Sequence, residues 1–171
     1  MIFVDSMELE DLPAVVEMEK RSHGDPWSRA LFLEELSQEM ACCRVARMLD
    51  DGKDERRRAP LPPAGYVCFR EVAGEIQLFN VTVHPDRRRR GVGRALMEFV
   101  LARAVETGAS KVLLEVRRGN EGALRFYEKT GFRRVGERAG YYDETAAGAA
   151  VLMELDTGIP DDPGGIAQEP P

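Results

Sequence analysis

A strand, a glycine-containing turn and a helix follow one another between residues 75 and 108, and this succession is the strongest constraint on the fold. Residues 75–83 have the apolar pattern of a strand, and a helix follows Gly91-Val92-Gly93. Its apolar face consists of Leu96, Phe99, Val100 and Ala104. Glycine lets backbone N–H groups approach a ligand closely, and the first N–H groups of a helix have no acceptor within it. Because the helix dipole also favours negative charge, the turn is a candidate anion site.

The rest of the chain alternates between helical and strand-like patterns, which predicts an α/β domain. Helices are predicted at residues 9–21, from an N-cap at Ser28, and at residues 120–129. The first of these has an apolar face formed by Leu12, Val15, Val16 and Met18 or Glu19. The predicted strands are residues 42–49, 65–72, 75–83, 111–117, 132–135 and 151–155. We expect a single mixed, mostly antiparallel central sheet flanked by helices, with a hairpin at Ala73-Gly74.

The 171 residues fit one domain, which we expect to span residues 1–155. Residues 50–64 combine charges of both signs with prolines and are predicted to form a solvated loop insertion. Residues 156–171 are rich in Pro, Gly and Asp and are predicted to be a disordered tail. The N-terminus does not have the pattern of a signal peptide, and no apolar run reaches the length of a membrane span. We therefore expect a cytoplasmic protein that does not bind membranes.

Cysteine and histidine are too few for a disulfide framework or a zinc site. Cys42, Cys43 and Cys68 cannot all pair with one another, and His23 and His84 are the only histidines. The cysteines are therefore predicted to be small core residues in a reducing cytoplasm, and no metal is expected.

Two arginine runs, at residues 56–58 and 87–90, raise the question of nucleic-acid binding. The formal net charge is -6, and the field of an acidic chain does not favour a polyanion. We therefore expect no direct nucleic-acid binding, and a short anionic ligand suits the second run better. An RNA-binding protein is the alternative, and it would have a strongly salt-dependent affinity for RNA.

Two common phosphate-binding motifs can be compared with the glycine turn. A Walker loop needs Gly, four residues and then Gly-Lys-Ser/Thr, and no segment matches. A dinucleotide fingerprint needs a third Gly or Ala where this chain has Leu96, and it normally lies in the first strand–helix turn of its domain. The local chemistry alone leaves two interpretations equally open: a pyrophosphate site, or a glycine turn covered by solvated arginines.

The residues around the turn also resemble a more specific pattern. Val81-Thr82-Val83-His84-Pro85 followed by residues 88–96 is similar to the coenzyme A-binding motif of the GCN5-related N-acetyltransferase (GNAT) superfamily. That motif is Arg/Gln-x-x-Gly-x-Gly/Ala on a strand, a turn and a helix. Here it is satisfied by Arg88, Gly91 and Gly93.

Segments on both sides of the turn extend the resemblance. Leu114-Glu115-Val116-Arg117, Asn120 and residues 123–132 resemble the downstream half of the superfamily. Pro26-Trp27-Ser28 and Tyr141-Tyr142 are similar to its ribosomal-protein-alanine N-acetyltransferase (RimI-type) branch. Several spaced motifs in the expected order are stronger support than a single Gly-x-Gly.

The resemblance covers about residues 5–155 and implies a GNAT-fold acetyltransferase that uses acetyl-CoA as co-substrate. It implies that the backbone at Val81, Thr82 and Val83 pairs with the pantetheine arm. The residues implied to hold the pyrophosphate and the rest of coenzyme A are Arg89, Arg90, Gly91, Val92, Gly93, Arg94 and Asn120. The implied acceptor is the α-amine of a protein N-terminal residue, first of all the alanine of a small-subunit ribosomal protein.

Glu115 is the most informative candidate for catalysis, because it lies in the apolar strand pattern of residues 112–116. An unpaired carboxylate in such a strand is costly, so Glu115 needs a partner or access to water. From the residues alone it is either a general base for an amine or an edge glutamate paired with an arginine such as Arg117. The resemblance implies that Glu115 is the proton acceptor.

Five other residues are candidates for the site. Tyr127 has the helical spacing of a core residue, but a phenol, with an ordinary pKa of about 10, can donate a proton to a leaving thiolate, and the resemblance implies this role. Asn120, implied to contact coenzyme A, is also predicted to cap a helix. Trp27 either lines a peptide groove or packs the second helix. Tyr141 and Tyr142 resemble residues that shape the acceptor-peptide site. Because adjacent residues of a strand point to opposite faces, at most one of them is expected to contact the peptide directly.

Two further functions are compatible with the same fold. A lysine or small-molecule amine acetyltransferase is the nearest alternative, since a fold does not determine the acceptor. A coenzyme A-binding regulatory module without turnover is the other. The presence of both Glu115 and Tyr127 argues against such a module.

Overall fold

The computed structural model describes residues 1–49, 61–139 and 149–160. In these ranges the chain forms one seven-stranded sheet and four α-helices. The strands are β1 (Ile2–Ser6), β2 (Ala41–Met48), β3 (Pro63–Val72), β4 (Glu75–Val83), β5 (Lys111–Arg117), β6 (Arg133–Arg138) and β7 (Ala150–Asp156). The helices are α1 (Leu12–Ser22), α2 (Arg29–Ser37), α3 (Val92–Thr107) and α4 (Glu121–Thr130).

The strand order is β1-β2-β3-β4-β5-β7-β6, and every neighbouring pair is antiparallel except β4–β5. α1 and α2 pack on one face of the sheet, and α3 and α4 pack on the other. The predicted mixed, mostly antiparallel sheet with flanking helices is therefore confirmed. In the described ranges none of the helices has the length and apolar character needed to span a bilayer.

Capping and turn residues place most elements where the sequence predicts them. Ser28 Oγ accepts a hydrogen bond from Leu31 N at 3.2 Å and caps α2. Ala73 and Gly74 have φ values of 51° and 77°, as a type I′ hairpin between β3 and β4 requires. α1 is shorter than predicted, because Leu9–Asp11 forms a 3₁₀ turn before it.

Two segments near the first strands differ from the sequence predictions. β1 has no counterpart among the predicted strands, because only Ile2 and Val4 are partly buried and its alternation is short. The predicted loop at residues 50–64 is too long, since β3 already begins at Pro63, and proline is tolerated as the first residue of a strand. Residues 50–60 of that loop lie outside the described residues.

The C-terminal boundary also differs from the prediction. β7 continues to Asp156, and the Thr157 hydroxyl lies 2.7 Å and 2.8 Å from the carbonyl oxygens of Ala109 and Ser110. The folded part of the chain therefore extends past residue 155. Residues 161–171 of the predicted tail lie outside the described residues.

Each face of the sheet has its own hydrophobic core, and β5 shows the division. Val112, Leu114 and Val116 are buried against α3 and α4. Because side chains alternate along a strand, Leu113 and Glu115 face the other side. All three cysteines are buried free thiols, which confirms their predicted place in the core.

The contact between β4 and β5 is short and ends in the middle of the sheet. Residues 75–78 pair in parallel with residues 111–114, and within the described part of the chain the pairing stops there. Phe79 is then the extra residue of a β-bulge opposite Cys68 and Phe69 of β3. Beyond the bulge β4 stays paired with β3, while β5 stays paired with β7, so a gap opens between β4 and β5.

Gly65 of β3 packs beneath the start of α3, and we predict that even alanine destabilises the protein at this position. A Cβ at residue 65 would lie 2.8 Å from both Thr82 O and Val92 Cγ1. Gly65→Ala should lower the free energy of unfolding by about 1–3 kcal/mol, measured by urea denaturation. Gly24→Ala is the control: a Cβ there meets nothing within 4 Å. This control should change stability by less than about 0.5 kcal/mol, and equal urea midpoints for the two variants would contradict the packing described.

Candidate active site

The glycine turn before α3 has the backbone geometry of an anion site. Arg89 and Gly91 have positive φ values of 60° and 88°, and Gly91 is the N-cap of α3. The N–H of Ala95 donates to Gly91 O at 3.0 Å, so the N–H groups of residues 92–94 precede the first hydrogen bond within the helix. These donors lie at the positive end of the helix dipole and fit a pyrophosphate.

Two arginine side chains near this turn have partners within the protein. Arg88 Nε and Nη2 donate to Val83 O and Ser22 Oγ, both at 3.4 Å. Arg94 Nε donates to Glu98 Oε1 at 2.7 Å on the exposed side of α3. These two guanidinium groups are therefore engaged within the protein, whereas the backbone N–H groups of residues 92–94 precede the first hydrogen bond of the helix.

The end of β4 has one paired edge and one edge that faces the gap. Residues 81–83 follow the bulge and pair with residues 65–67 of β3. Among the described residues, β5 no longer pairs with β4 at this level. A strand edge without a neighbour can bind an extended ligand through its backbone groups, as it would bind another strand. This edge fits the pantetheine arm that the sequence resemblance implies.

Glu115 is the first residue of β5 beyond the last pair with β4, so it lies where the gap begins. Its Oε1 accepts a hydrogen bond from Arg138 Nη2 of β6 at 2.7 Å, and its side chain is 28% exposed. The sequence pattern predicts an arginine partner such as Arg117, and the structure has an arginine partner, Arg138, on a different strand. The other carboxylate oxygen, Oε2, takes no part in this bond.

Tyr127 of α4 lies on the opposite face of the sheet from Glu115. Its buried ring packs against Phe126 and Phe132, with centroid distances of 5.3 Å and 5.5 Å. Tyr127 shares the α3–α4 core with Val116, whereas the preceding Glu115 points to the other face of β5. A carboxylate and a phenol therefore lie on opposite faces of one strand. This arrangement can remove a proton on one side and supply one on the other.

Asn120 and Trp27 make structural contacts that the sequence predicts. Asn120 Oδ1 accepts a hydrogen bond from the first turn of α4 at 3.1 Å, which confirms it as the N-cap. Trp27 packs against Phe32 with ring centroids 5.3 Å apart, which confirms its packing on the second helix. The other two predicted acceptor residues, Tyr141 and Tyr142, lie outside the described residues.

A buried carboxylate to which the sequence analysis assigns no role lies beside the end of β4. Glu19 of α1 is 1% exposed and accepts hydrogen bonds from Trp27 N at 3.0 Å and Asn80 Nδ2 at 3.1 Å. Tyr66 OH also donates to it. The signal for this residue in the sequence is an acidic side chain on the apolar face of the first predicted helix.

The sequence matches a known protein family over most of the length of the chain. Residues 12–132 match the model of the acetyltransferase (GNAT) family, and the chain therefore belongs to that family. Over 153 residues it is 32% identical to the ribosomal protein bS18-alanine N-acetyltransferase of Escherichia coli (strain K12). This match covers 89% of the present chain and 95% of its relative.

Solved structures have the same fold. The ribosomal-protein-S18-alanine N-acetyltransferase from Escherichia coli superposes with a TM-score of 0.75 at 33% identity, covering 92% of this chain and 94% of that one. The NatC complex bound to Gag peptide and CoA gives a TM-score of 0.72 at 19% identity, covering 91% and 98% of the two chains, and it shares the fold. The predicted GNAT fold and the predicted class, an N-acetyltransferase, are thereby confirmed.

Asn120 variants can separate the capping role from a contact with coenzyme A. Asn120→Ala removes the cap and should lower the free energy of unfolding by about 1 kcal/mol, whereas Asn120→Asp keeps a capping oxygen and should stay close to the wild type. We expect both variants to bind coenzyme A several-fold more weakly in isothermal titration calorimetry, because both lose the amide donor. Affinity that is unchanged in both would limit Asn120 to capping.

Proposed function

We propose that this protein transfers the acetyl group of acetyl-CoA to the α-amine of a protein N-terminal residue, with the N-terminal alanine of ribosomal protein bS18 as the first candidate. The observation that carries the proposal is the place of Glu115 at the start of the β4–β5 gap, bonded to Arg138. The E. coli relative is named for this substrate and is similar over most of the chain. Such a substrate places the activity in the cytoplasm, where ribosomal proteins are made.

In this proposal acetyl-CoA lies along the face that carries α3 and α4. The N–H groups of residues 92–94, together with the arginines of the turn, bind the pyrophosphate. The strand edge at residues 81–83 binds the pantetheine arm, and Asn120 at the start of α4 binds the rest of coenzyme A. A Cβ at Gly93 would lie 3.4 Å from the Phe126 ring, in ordinary van der Waals contact, so only a side chain larger than alanine would narrow the space between α3 and α4.

The acceptor amine approaches from the face on which Glu115 lies. A free α-amine has an ordinary pKa near 8, so its deprotonation near neutral pH needs only modest help. Glu115 Oε2 takes the proton, directly or through water, while the Arg138 bond to Oε1 holds the carboxylate in place. The amine nitrogen then bonds to the thioester carbonyl carbon, and backbone N–H groups near Val83 stabilise the carbonyl oxygen.

Tyr127 completes the transfer on the other face. As the carbon–sulfur bond breaks, the phenol donates a proton to the departing thiolate. The nitrogen releases its second proton to water, and Tyr127 regains a proton from water. The products are an acetylated N-terminus and free coenzyme A. The packing of Tyr127 against Phe126 and Phe132 restricts the direction of its hydroxyl. Holding both reactants in one geometry supplies much of the remaining acceleration.

A peptide panel tests the proposed acceptor, with thiol release from acetyl-CoA as the measurement. We expect turnover on peptides that begin with Ala and slower turnover on peptides that begin with Ser or Met. An acetyl-Ala peptide with an internal lysine should not be acetylated, and neither should free polyamines. The reason is that Glu115 is proposed to deprotonate an α-amine, which is less basic than the amines of lysine and polyamines. Turnover on the blocked peptide would point to lysine as the acceptor, and turnover on polyamines alone would point to a small-molecule amine.

Conservative variants test the two proposed catalytic residues. Glu115→Gln and Tyr127→Phe should each lower kcat by about 10²-fold or more, because each removes one proton transfer and little volume. The matched control is Glu154→Gln: Glu154 of β7 is also a carboxylate bonded to an arginine of β6, Arg133, at 3.1 Å. That variant should keep its activity. If Glu115→Gln and Tyr127→Phe turn over at the rate of the control, the assignment of base and acid is wrong.

A further inference from the structure

The buried carboxylate of Glu19 has more polar partners than the packing of α1 requires. Its Oε1 accepts hydrogen bonds from Trp27 N at 3.0 Å and Asn80 Nδ2 at 3.1 Å. Its Oε2 accepts one from Tyr66 OH and lies 3.5 Å from Thr82 Oγ1. A buried carboxylate without such donors would be costly, so this set of bonds offsets the loss of hydration.

The partners of Glu19 belong to two elements that border the proposed reaction. Trp27 belongs to the segment between α1 and α2, on the face of the sheet to which Glu115 points. Asn80 belongs to β4 directly after the bulge, in the stretch whose backbone edge borders the gap. A single oxygen, Oε1, therefore links the segment between α1 and α2 to the strand whose backbone edge borders the gap.

Two further side chains, Tyr66 and His23, complete the network around Glu19. Burial and the adjacent Glu19 carboxylate raise the pKa of the Tyr66 phenol, so Tyr66 keeps its proton and donates it in the hydrogen bond. His23 Nε2 lies 2.7 Å from Thr82 Oγ1 and 3.4 Å from Glu19 Oε2. The His23 side chain is 36% exposed, so the network reaches solvent there.

We propose that Glu19 is a positioning residue for acetyl transfer. It touches no reacting atom, but it fixes the segment between α1 and α2 against the end of β4. This inference rests on the proposed function, which places the acceptor amine and the thioester along these two elements. Because the rate of a two-reactant step depends steeply on their relative placement, loosening this link lowers the rate more than it lowers the affinity for acetyl-CoA.

A purely structural role for Glu19 has different consequences. α1 is already held by apolar contacts, since Leu12, Val15 and Met18 are almost completely buried in the core beneath it. If Glu19 contributed only stability, its replacement would lower the melting temperature. The rate constants of the folded protein would then stay unchanged.

Glu19→Gln separates the two roles, because it keeps the size and an accepting oxygen but removes the charge that strengthens the bonds. We expect kcat to fall about tenfold or more, while the Kd of acetyl-CoA, measured by calorimetry, changes less than about threefold. An unchanged kcat in folded Glu19→Gln overturns the proposal. A rate loss that more acetyl-CoA restores also overturns it.

Asp11→Asn is the matched control, since Asp11 is another buried carboxylate of this layer, bonded to Arg47 at 2.9 Å. It should lower the melting temperature and leave kcat within about twofold of the wild type, because its partners lie away from the end of β4. A loss of kcat equal to that of Glu19→Gln would show that any buried carboxylate of the layer has this effect, and would overturn a specific role for Glu19.

Asn80→Leu is a second variant that decides the question if Glu19→Gln does not fold. It removes the donor on β4 and leaves the Trp27 bond intact, so kcat should fall in the same way, and an unchanged kcat overturns the proposal. All variants are assayed with whichever amine the wild type acetylates. Failure of the alanine peptide would then contradict the proposed function, while the effect of Glu19 would still be measured.

Discussion

The rest of the structure depends on the short parallel contact between β4 and β5. A parallel pair needs a crossover, and α3 supplies it, so the N-terminus of α3 lies just after the end of β4. Because the pairing stops at Leu78 and Leu114, the same two strands separate beside that helix terminus. The bulge at Phe79 adds to the separation by bending β4. One interrupted ladder thus brings together an open strand edge, a helix N-terminus and the carboxylate of Glu115.

The two sides of this gap suit two different reactants. On the α3–α4 side, backbone donors and a buried phenol are set in a largely apolar core, which suits a long cofactor with an anionic end. On the other side, Glu115 is partly exposed and bonded to Arg138, which suits a charged amine that arrives from water. The alternation of side chains along β5 produces this division, because neighbouring residues of one strand must point to opposite faces.

Local contacts could be predicted from the sequence, and long-range ones could not. The cap at Asn120 and the hairpin at Ala73-Gly74 involve residues at most three positions apart, so their chemistry is visible in a short window. The bond from Arg138 to Glu115 spans 23 residues and depends on the register of β6 on β7 and of β7 on β5. The bulge at Phe79 likewise depends on how β3 pairs with β4. The apolar strand pattern makes Glu115 a candidate, and the family resemblance implies the roles of Glu115 and Tyr127, but neither identifies Arg138 as the partner of Glu115.

The layer formed by α1 and α2 is attached to the sheet by directional bonds as well as by apolar packing. In the described part of the chain, three buried carboxylates of this layer bond to the sheet: Asp11 to Arg47 of β2, Glu35 to Arg70 of β3, and Glu19 to Tyr66 of β3 and Asn80 of β4. Apolar contact tolerates small shifts, whereas a buried hydrogen bond has a narrow range of distance and angle and is costly to break. These bonds therefore define where the helices lie along the strands. Only the Glu19 bond ends on the part of the sheet that borders the gap, which is why the position of this layer bears on catalysis there.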